Sequence, residues 1–462
     1  MGPQTGRGTR VTTSERITTA GITARIERLP MSGWQRRVRL LVGAVTLFDG
    51  FDQLLIAYAL PVIKHQWRLG AAGATWAITA GSVGMLVGAV LAGWLGDLIG
   101  RVRAVAVCVT LYAVTSLLLV GADGLTMFLP LRFVQGIGIG GEVLVAAAYI
   151  SEIIGARRRG RFVLLYELVF VVGLLAAALV SSWVIPAWGW RPLFVIGGVP
   201  LVFAVLLWRR VPESPRWLAA RGRLTEADAT LRRIEHEVGG GAPLPEPRPG
   251  DPMRVGGARL VALRGRRYAR RTAVLVVLCF AAYLVTYALT SWLPTIYTEL
   301  YHVPIAAALR YSLFSMASGL VGSTALALAV DRFGRKPCLT IGMVGAAVML
   351  AVLALLHPAD AATVALLVSA ATLFVFSVNL GINLYVPELY PNRARTVGSS
   401  ISGVAVRLGV IVGPILVGLL YTRSTGFPLV IGLLAVVALI GGVTLARYGE
   451  ETANRTLERL SP

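Results

Sequence analysis

The stretch Gly93-Trp-Leu-Gly-Asp97-Leu-Ile-Gly100-Arg101 stands between two long apolar runs, and Asp331-Arg-Phe-Gly-Arg335-Lys336 stands between two more. A second pair of echoes runs Tyr149…Glu152…Arg157 and Tyr385…Glu388…Arg393. Asp97 and Asp331 are 234 residues apart, while the three residues of the second pair are each displaced by 236. Two independent motifs with nearly one offset indicate a chain built from two similar halves. Each echo lies at the end of an apolar run, so the halves repeat as sets of membrane spans.

Working outward from these motifs, twelve apolar stretches are close to or above the roughly 20 residues that cross a bilayer. They lie at about 40–62, 75–96, 104–122, 126–154, 162–185 and 192–208, then at 272–297, 312–330, 338–357, 361–385, 397–421 and 426–446. Of the 462 residues, 56% are hydrophobic and 15% are charged, and the mean hydropathy is +0.72. A soluble protein carries about 25% charged residues. We therefore expect an all-α polytopic membrane protein with twelve transmembrane helices in two six-helix bundles, a known transporter plan. The expected division is an N-terminal tail at 1–39, a first bundle at 40–208, a linker at 209–271, a second bundle at 272–446 and a tail at 447–462. The first stretch follows a long Arg-rich leader and holds two aspartates, which excludes a cleaved signal peptide.

The net charge of +21 raises nucleic-acid binding as a possibility, and position along the chain decides against it. Of the 44 basic residues, 37 fall in one alternate set of loops and tails, and five fall in the other set. Arg132 and Arg407 lie within spans. That is the positive-inside pattern, which places both termini in the cytoplasm of a cell membrane, most simply a bacterial cytoplasmic membrane. Within the linker, Thr225-Glu-Ala-Asp228 resembles a capping box. Leu224, Ala227, Leu231 and Ile234 then share one helical face, and the stretch 239–252 is rich in Gly and Pro.

These motifs together resemble the major facilitator superfamily of transporters over almost the whole chain. Arg132-Phe-Val-Gln-Gly136 resembles its span-four motif, and the Asp97 and Asp331 loops resemble its signature loop. Pro212-Glu-Ser-Pro-Arg-Trp-Leu218 and Glu451-Thr-Ala-Asn-Arg-Thr-Leu457 resemble signatures of the sugar-porter branch. Asp49-Gly-Phe-Asp52 and Arg407-Leu-Gly409…Gly413-Pro414 resemble segments of the aromatic acid:proton symporters, a branch of the family with metabolite:proton symporters close to it. The resemblance implies alternating access, proton coupling at Asp49 and Asp52, and carboxylate binding at Arg407. It also implies a conformational role for Asp97, Arg101, Asp331 and Arg335, with Glu152 and Glu388 as partners.

Physical reasoning supports the same residues. Ionisable groups at membrane depth are costly and mark functional sites. Asp49 and Asp52 are three apart and share a helix face, Glu142 stands halfway through span four, and Glu167 lies in the inner part of span five. A carboxyl group in low-dielectric surroundings binds and releases protons in step with its access to water. The plainer alternative is a structural ion pair, with Arg132 as a partner. Arg407 requires an anion, and its planar fork suits a carboxylate. That anion is either a fixed protein partner or the substrate. At the cytoplasmic loops, Asp97 can sit against the positive N-terminal end of a following helix, and Arg101 can pair with Glu152.

Arg132, Tyr287, Asn379 and Asn383 are candidate substrate contacts, with Trp292 and Phe376 as further aromatics of the region. Span seven lacks the Gln-rich motif of the sugar porters, which argues against sugar, although a sugar, polyol or other metabolite carrier is the alternative. A membrane sensor is a third class, and the short termini leave little room for a signalling domain. The run Gly136-Ile-Gly-Ile-Gly140-Gly141 fits a dinucleotide pattern by spacing, yet it lies inside an apolar span, where close helix packing explains it better. Cys108, Cys279 and Cys338 form no metal spacing, and no catalytic group stands out. The expected protein is therefore a monomeric proton-coupled importer of a small organic acid, an aromatic carboxylate before others, without cofactor, enzymatic activity or nucleic-acid partner.

Overall fold

The computed structural model describes residues 18–29, 33–153, 159–239, 265–390, 395–421 and 426–453, excluding the side chains of 39, 159–167, 239, 266–267 and 395–397. Arg157, Arg393, the carboxylate of Glu167 and most of the Gly- and Pro-rich stretch lie outside the described residues.

Sixteen helices and no strand occur among the described residues. The first six spans are α2 (Gly33–Gln66), α3 (Ala71–Ile99), α4 (Arg101–Leu119), α5 (Leu125–Ile153), α6 (Arg159–Trp188) and the broken pair α7 (Arg191–Ile196) and α8 (Pro200–Arg210). The second six are α11 (Arg266–Glu299), α12 (Ile305–Phe333), α13 (Arg335–Leu356), α14 (Ala361–Glu388), α15 (Arg395–Leu420) and α16 (Gly426–Tyr448). All twelve are long and apolar enough to cross a membrane. The sixth stretch is not one continuous helix as the sequence suggested. Gly197, Gly198 and Val199 close a turn before Pro200, whose missing N–H cannot continue an α-helix.

The packing follows the sequence repeat. In the first set α2 packs on α6, α3 on α5, and α4 on both α5 and α8. In the second set α11 packs on α15, α12 on α14, and α13 on both α14 and α16. Between the sets, α2 meets α11, α3 meets α15 and α6 meets α12. Outward faces carry large apolar residues such as Trp183 and Leu328, 75% and 80% exposed, as a lipid-facing surface requires.

Three short helices cover one end of the bundle: α1 (Thr19–Glu27), α9 (Pro215–Ala220) and α10 (Leu224–Gly239). The helix α1 was not read from the leader. Thr18 caps it by accepting from the Gly21 N–H at 3.1 Å. Its Ile22 and Ile26 are buried against Trp217, Leu218, Ala227 and Leu231, so Leu224, Ala227 and Leu231 of the apolar face foreseen on α10 meet α1 and α9, while Ile234 packs into the core of the first set of spans. The capping box foreseen at Thr225–Asp228 does not form. Thr225 lies inside α10, and Asp228 turns instead to Arg25 at 2.5 Å and Arg232 at 2.9 Å. We call this end of the molecule the basic end, and the opposite one the far end.

Candidate functional site

The site begins with acids drawn into the first set of helices. Asp49 and Asp52 on α2 and Glu142 on α5 are all fully buried. Glycines make room for them: the Gly197 backbone lies so close to Asp52 that a Cβ there would meet its Oδ1 at 2.7 Å. Glu142 and the Tyr112 hydroxyl face Asp49. Both oxygens of Asp49, both of Glu142 and the Tyr112 hydroxyl have no hydrogen-bond partner among the described residues. Asp52 differs from its neighbour. Its Oδ2 accepts from Gln135 Nε2 at 2.6 Å, and Gln135 Oε1 accepts from Arg132 Nη1 at 2.6 Å. Arg132 thus reaches Asp52 through an intervening amide rather than by a direct ion pair.

The second set of helices supplies the aromatic and cationic groups. Arg407 on α15 has no carboxylate within 4.0 Å among the described residues. The titratable groups within electrostatic reach of it are the phenols of Tyr287 and Tyr283 and, across the interface, Asp49. Tyr283 and Tyr287 are one turn apart on α11 and stack at 6.3 Å, with ring planes 11° apart. They line a cleft together with Thr286, Thr290, Phe376, Asn379 and Asn383. Leu54, Phe170 and Leu174 of the first set complete its wall. A second, narrower cleft is lined by Gln53, Arg132, Ser291 and again Tyr287. Tyr287 is the shared wall, with the acids' Arg132–Gln135 relay on one side and the aromatic cleft on the other. Trp292 does not line this cleft. It is fully buried, and its indole N–H donates to the Pro414 carbonyl at 3.0 Å, which ties α11 to α15.

The gating candidates form two near-copies at the basic end. Arg101 pairs with Asp97 at 2.7 Å and Glu152 at 3.1 Å, and Arg335 pairs with Asp331 at 3.0 Å and Glu388 at 3.3 Å. Asp97 does not take the helix N-terminus foreseen for it. Glu213 takes that place, accepting from the N–H groups of Arg101 at 2.8 Å and Val102 at 3.1 Å. Glu451 does the same for α13, accepting from Arg335 at 3.0 Å and Lys336 at 3.1 Å. Gly100 and Gly334, with φ of 107° and 94°, form these junctions. A Cβ on either would also strike the capping acid. Tyr149 and Tyr385 complete the repeat by donating to the Pro212 and Glu450 carbonyls, each the residue before a capping acid, at 2.9 and 2.6 Å.

Glu213, Glu451, Gln135, Tyr112 and Gln53 were not singled out from sequence as site residues. The paired Glu-Ser and Glu-Thr at 213–214 and 451–452 were an available signal for the two caps. At the far end the two sets are joined by Lys64 Nζ, which donates to Glu299 Oε2 at 2.7 Å, and by the close seating of Gly418 on Thr75.

This repeat of two six-helix sets, with matching capped loops, is the decisive observation. A sequence profile of the Major Facilitator Superfamily matches residues 42–399. The chain belongs to that superfamily. Among curated members, it is 32% identical over 446 residues to the niacin transporter NiaP of Acinetobacter baylyi, covering 95% of this chain and 99% of that one. It is 26% identical to a gallate transporter of Pseudomonas putida, covering 93% and 95% of the two chains. Among solved structures, it superposes on a partially occluded inward-open form of the xylose transporter XylE from E. coli with a TM-score of 0.70. That match covers 92% of this chain at 20% identity, a likeness of fold. This Major Facilitator Superfamily protein is thus a multi-pass membrane transporter.

Proposed function

We propose that the chain moves a small aromatic carboxylate across the membrane together with protons, by alternating access. The observation that carries this is Arg407, a guanidinium without a carboxylate partner among the described residues, beside a stacked tyrosine pair and with buried acids across the interface. The substrate carboxylate takes the fork of Arg407, and its ring lies among Tyr283, Tyr287 and Phe376. Asp49, Asp52 and Glu142 are the proton-handling groups, and one proton shared between Asp49 and Glu142 would meet the hydrogen-bonding needs of both. The relatives that transport niacin and gallate, both aromatic acids, support this chemistry.

The basic end faces the cytoplasm and carries both termini, in line with the loop charges. Contacts at Lys64–Glu299 and Thr75–Gly418 then close the outside. The capped loops at Asp97, Arg101 and Glu152, and at Asp331, Arg335 and Glu388, favour one facing state over the other. Each chain holds a complete cleft and acts as a monomer, with the two bundles at 40–208 and 272–446 as its moving bodies.

Proteoliposomes holding the purified chain test this proposal. Uptake of labelled aromatic acid should rise with an inward proton gradient, and Asp52→Asn should abolish concentrative uptake. Arg407→Ala should remove carboxylate binding while the protein still folds. Uptake indifferent to the gradient would sink the symport, and unchanged affinity in Arg407→Ala would return that residue to a structural role.

A further inference from the structure

The wall of the aromatic cleft contains a buried acceptor whose direction is set by its neighbours. The Thr286 Oγ1 lies 2.8 Å from the Ala282 carbonyl oxygen and 2.8 Å from the Asn379 amide. Two oxygens at 2.8 Å need a proton between them, and a carbonyl has none to give. The Thr286 hydroxyl proton is therefore committed to Ala282, so its oxygen can only accept. Asn379 must present Nδ2 to Thr286, which turns its Oδ1 away. That oxygen is buried and has no hydrogen-bond partner among the described residues. Asn379 lies on α14 in the same cleft wall as Tyr283, Tyr287 and Phe376.

A buried acceptor left unpaired is costly, and a ligand that supplies a donor removes the cost. We infer that Asn379 is a specificity-determining residue whose Oδ1 accepts a hydrogen bond from a donor on the substrate ring, so that ring-hydroxylated aromatic acids are preferred. An unsubstituted ring leaves the oxygen unpaired, and a pyridine nitrogen, itself an acceptor, meets it with like polarity. This inference rests on the aromatic-carboxylate reading and adds the feature of the ring that is read.

Calorimetric titration of the full-length, detergent-solubilised chain tests it, using benzoate, the three hydroxybenzoate isomers and nicotinate. In the unmodified protein the best hydroxybenzoate should bind about tenfold or more tightly than benzoate, and nicotinate no better than benzoate. Asn379→Leu should bring the ratio of hydroxybenzoate to benzoate affinity down to about one. Thr286→Val, which frees the amide to turn its N–H₂ toward the cleft, should shift the ratio of nicotinate to hydroxybenzoate in favour of nicotinate. This second variant keeps the test decisive should the first not fold. Equal binding of hydroxybenzoates and benzoate overturns the inference alone, as does a ratio that both variants leave unchanged. Failure of all the acids to bind overturns the aromatic-carboxylate reading with it.

Discussion

Asp49 and Asp52 sit one turn apart on α2, yet their surroundings differ. Asp52 is held by Gln135, which is itself oriented by Arg132, whereas Asp49 meets another acid and a phenol with no donor engaged. The Asp49–Glu142 pair is thus the less satisfied one. We expect Glu142→Gln to lower proton-driven uptake by about tenfold or more while substrate exchange persists, measured by paired gradient and counterflow assays in proteoliposomes. The capping acids act differently. Replacing Glu213 or Glu451 by Gln removes a charge from a helix N-terminus and should cost about 1 kcal/mol each, read as a lower thermal unfolding midpoint. The acids within spans were legible because a charge in an apolar run stands out. Gln135, Tyr112 and Gln53 were not, because neutral polar residues carry no such contrast. Glu213 was hidden for another reason: it reaches Val102 across 111 positions of sequence.

At the scale of elements, the glycines of α5 explain how α3 and α4 approach the acids. Gly136 and Gly140 rest on the backbone of α3, and Gly138 rests on that of α4, where an added Cβ would lie 2.7 Å from the Cys108 carbonyl. Gly136→Ala would press on the Gly81 carbonyl, which is backbone and cannot turn aside. A destabilisation of about 1–3 kcal/mol is expected, seen as a lower unfolding midpoint in detergent. The α1 clasp carries a pH prediction. Burial works to raise Asp228 and Glu235, but hydrogen bonds from Arg25 outweigh it, aided by Arg232 on Asp228 and Arg28 on Glu235, and hold both carboxyls below their ordinary values. A carboxyl depressed in the folded state adds stability above its unfolded value of about 4, and this is lost as pH falls through the folded one. The protection of α1 against hydrogen exchange, relative to the intrinsic rate at each pH, should therefore hold steady from neutral pH down to about 5 and fall below about 4. Protection that declined between pH 7 and 5 would contradict the assignment. The amphipathic face of α10 was legible, since its period is helical. The helix α1 was not, because nine residues in an Arg-rich leader gain order only from the partner they dock on.

At the scale of the molecule, the far-end seam joins α2 to α11 and α3 to α15. The Lys64–Glu299 pair is partly solvated, with its two side chains 16% and 34% exposed, and surface pairs of this kind contribute less than about 1 kcal/mol. The packing of Gly418 on Thr75 is the stiffer element. Gly418→Leu should hold the far end apart, so that spin labels placed on either side of it report a longer distance while those at the basic end report a shorter one. No change at either end would mean that this seam does not set the facing state.

The number and order of the spans, the duplication into halves and the sorting of charge to one end were determined by the sequence itself. Each is written locally, in runs of apolar residues, in motif spacing, or in which loop carries arginine. Tertiary structure alone decided which acid caps which helix, that Arg132 meets Asp52 through Gln135, and that Asn379 gives its amide N–H to Thr286 while its Oδ1 has no partner among the described residues. Those outcomes depend on the close approach of helices far apart in sequence, where a hydrogen bond is made or lost within a few tenths of an ångström.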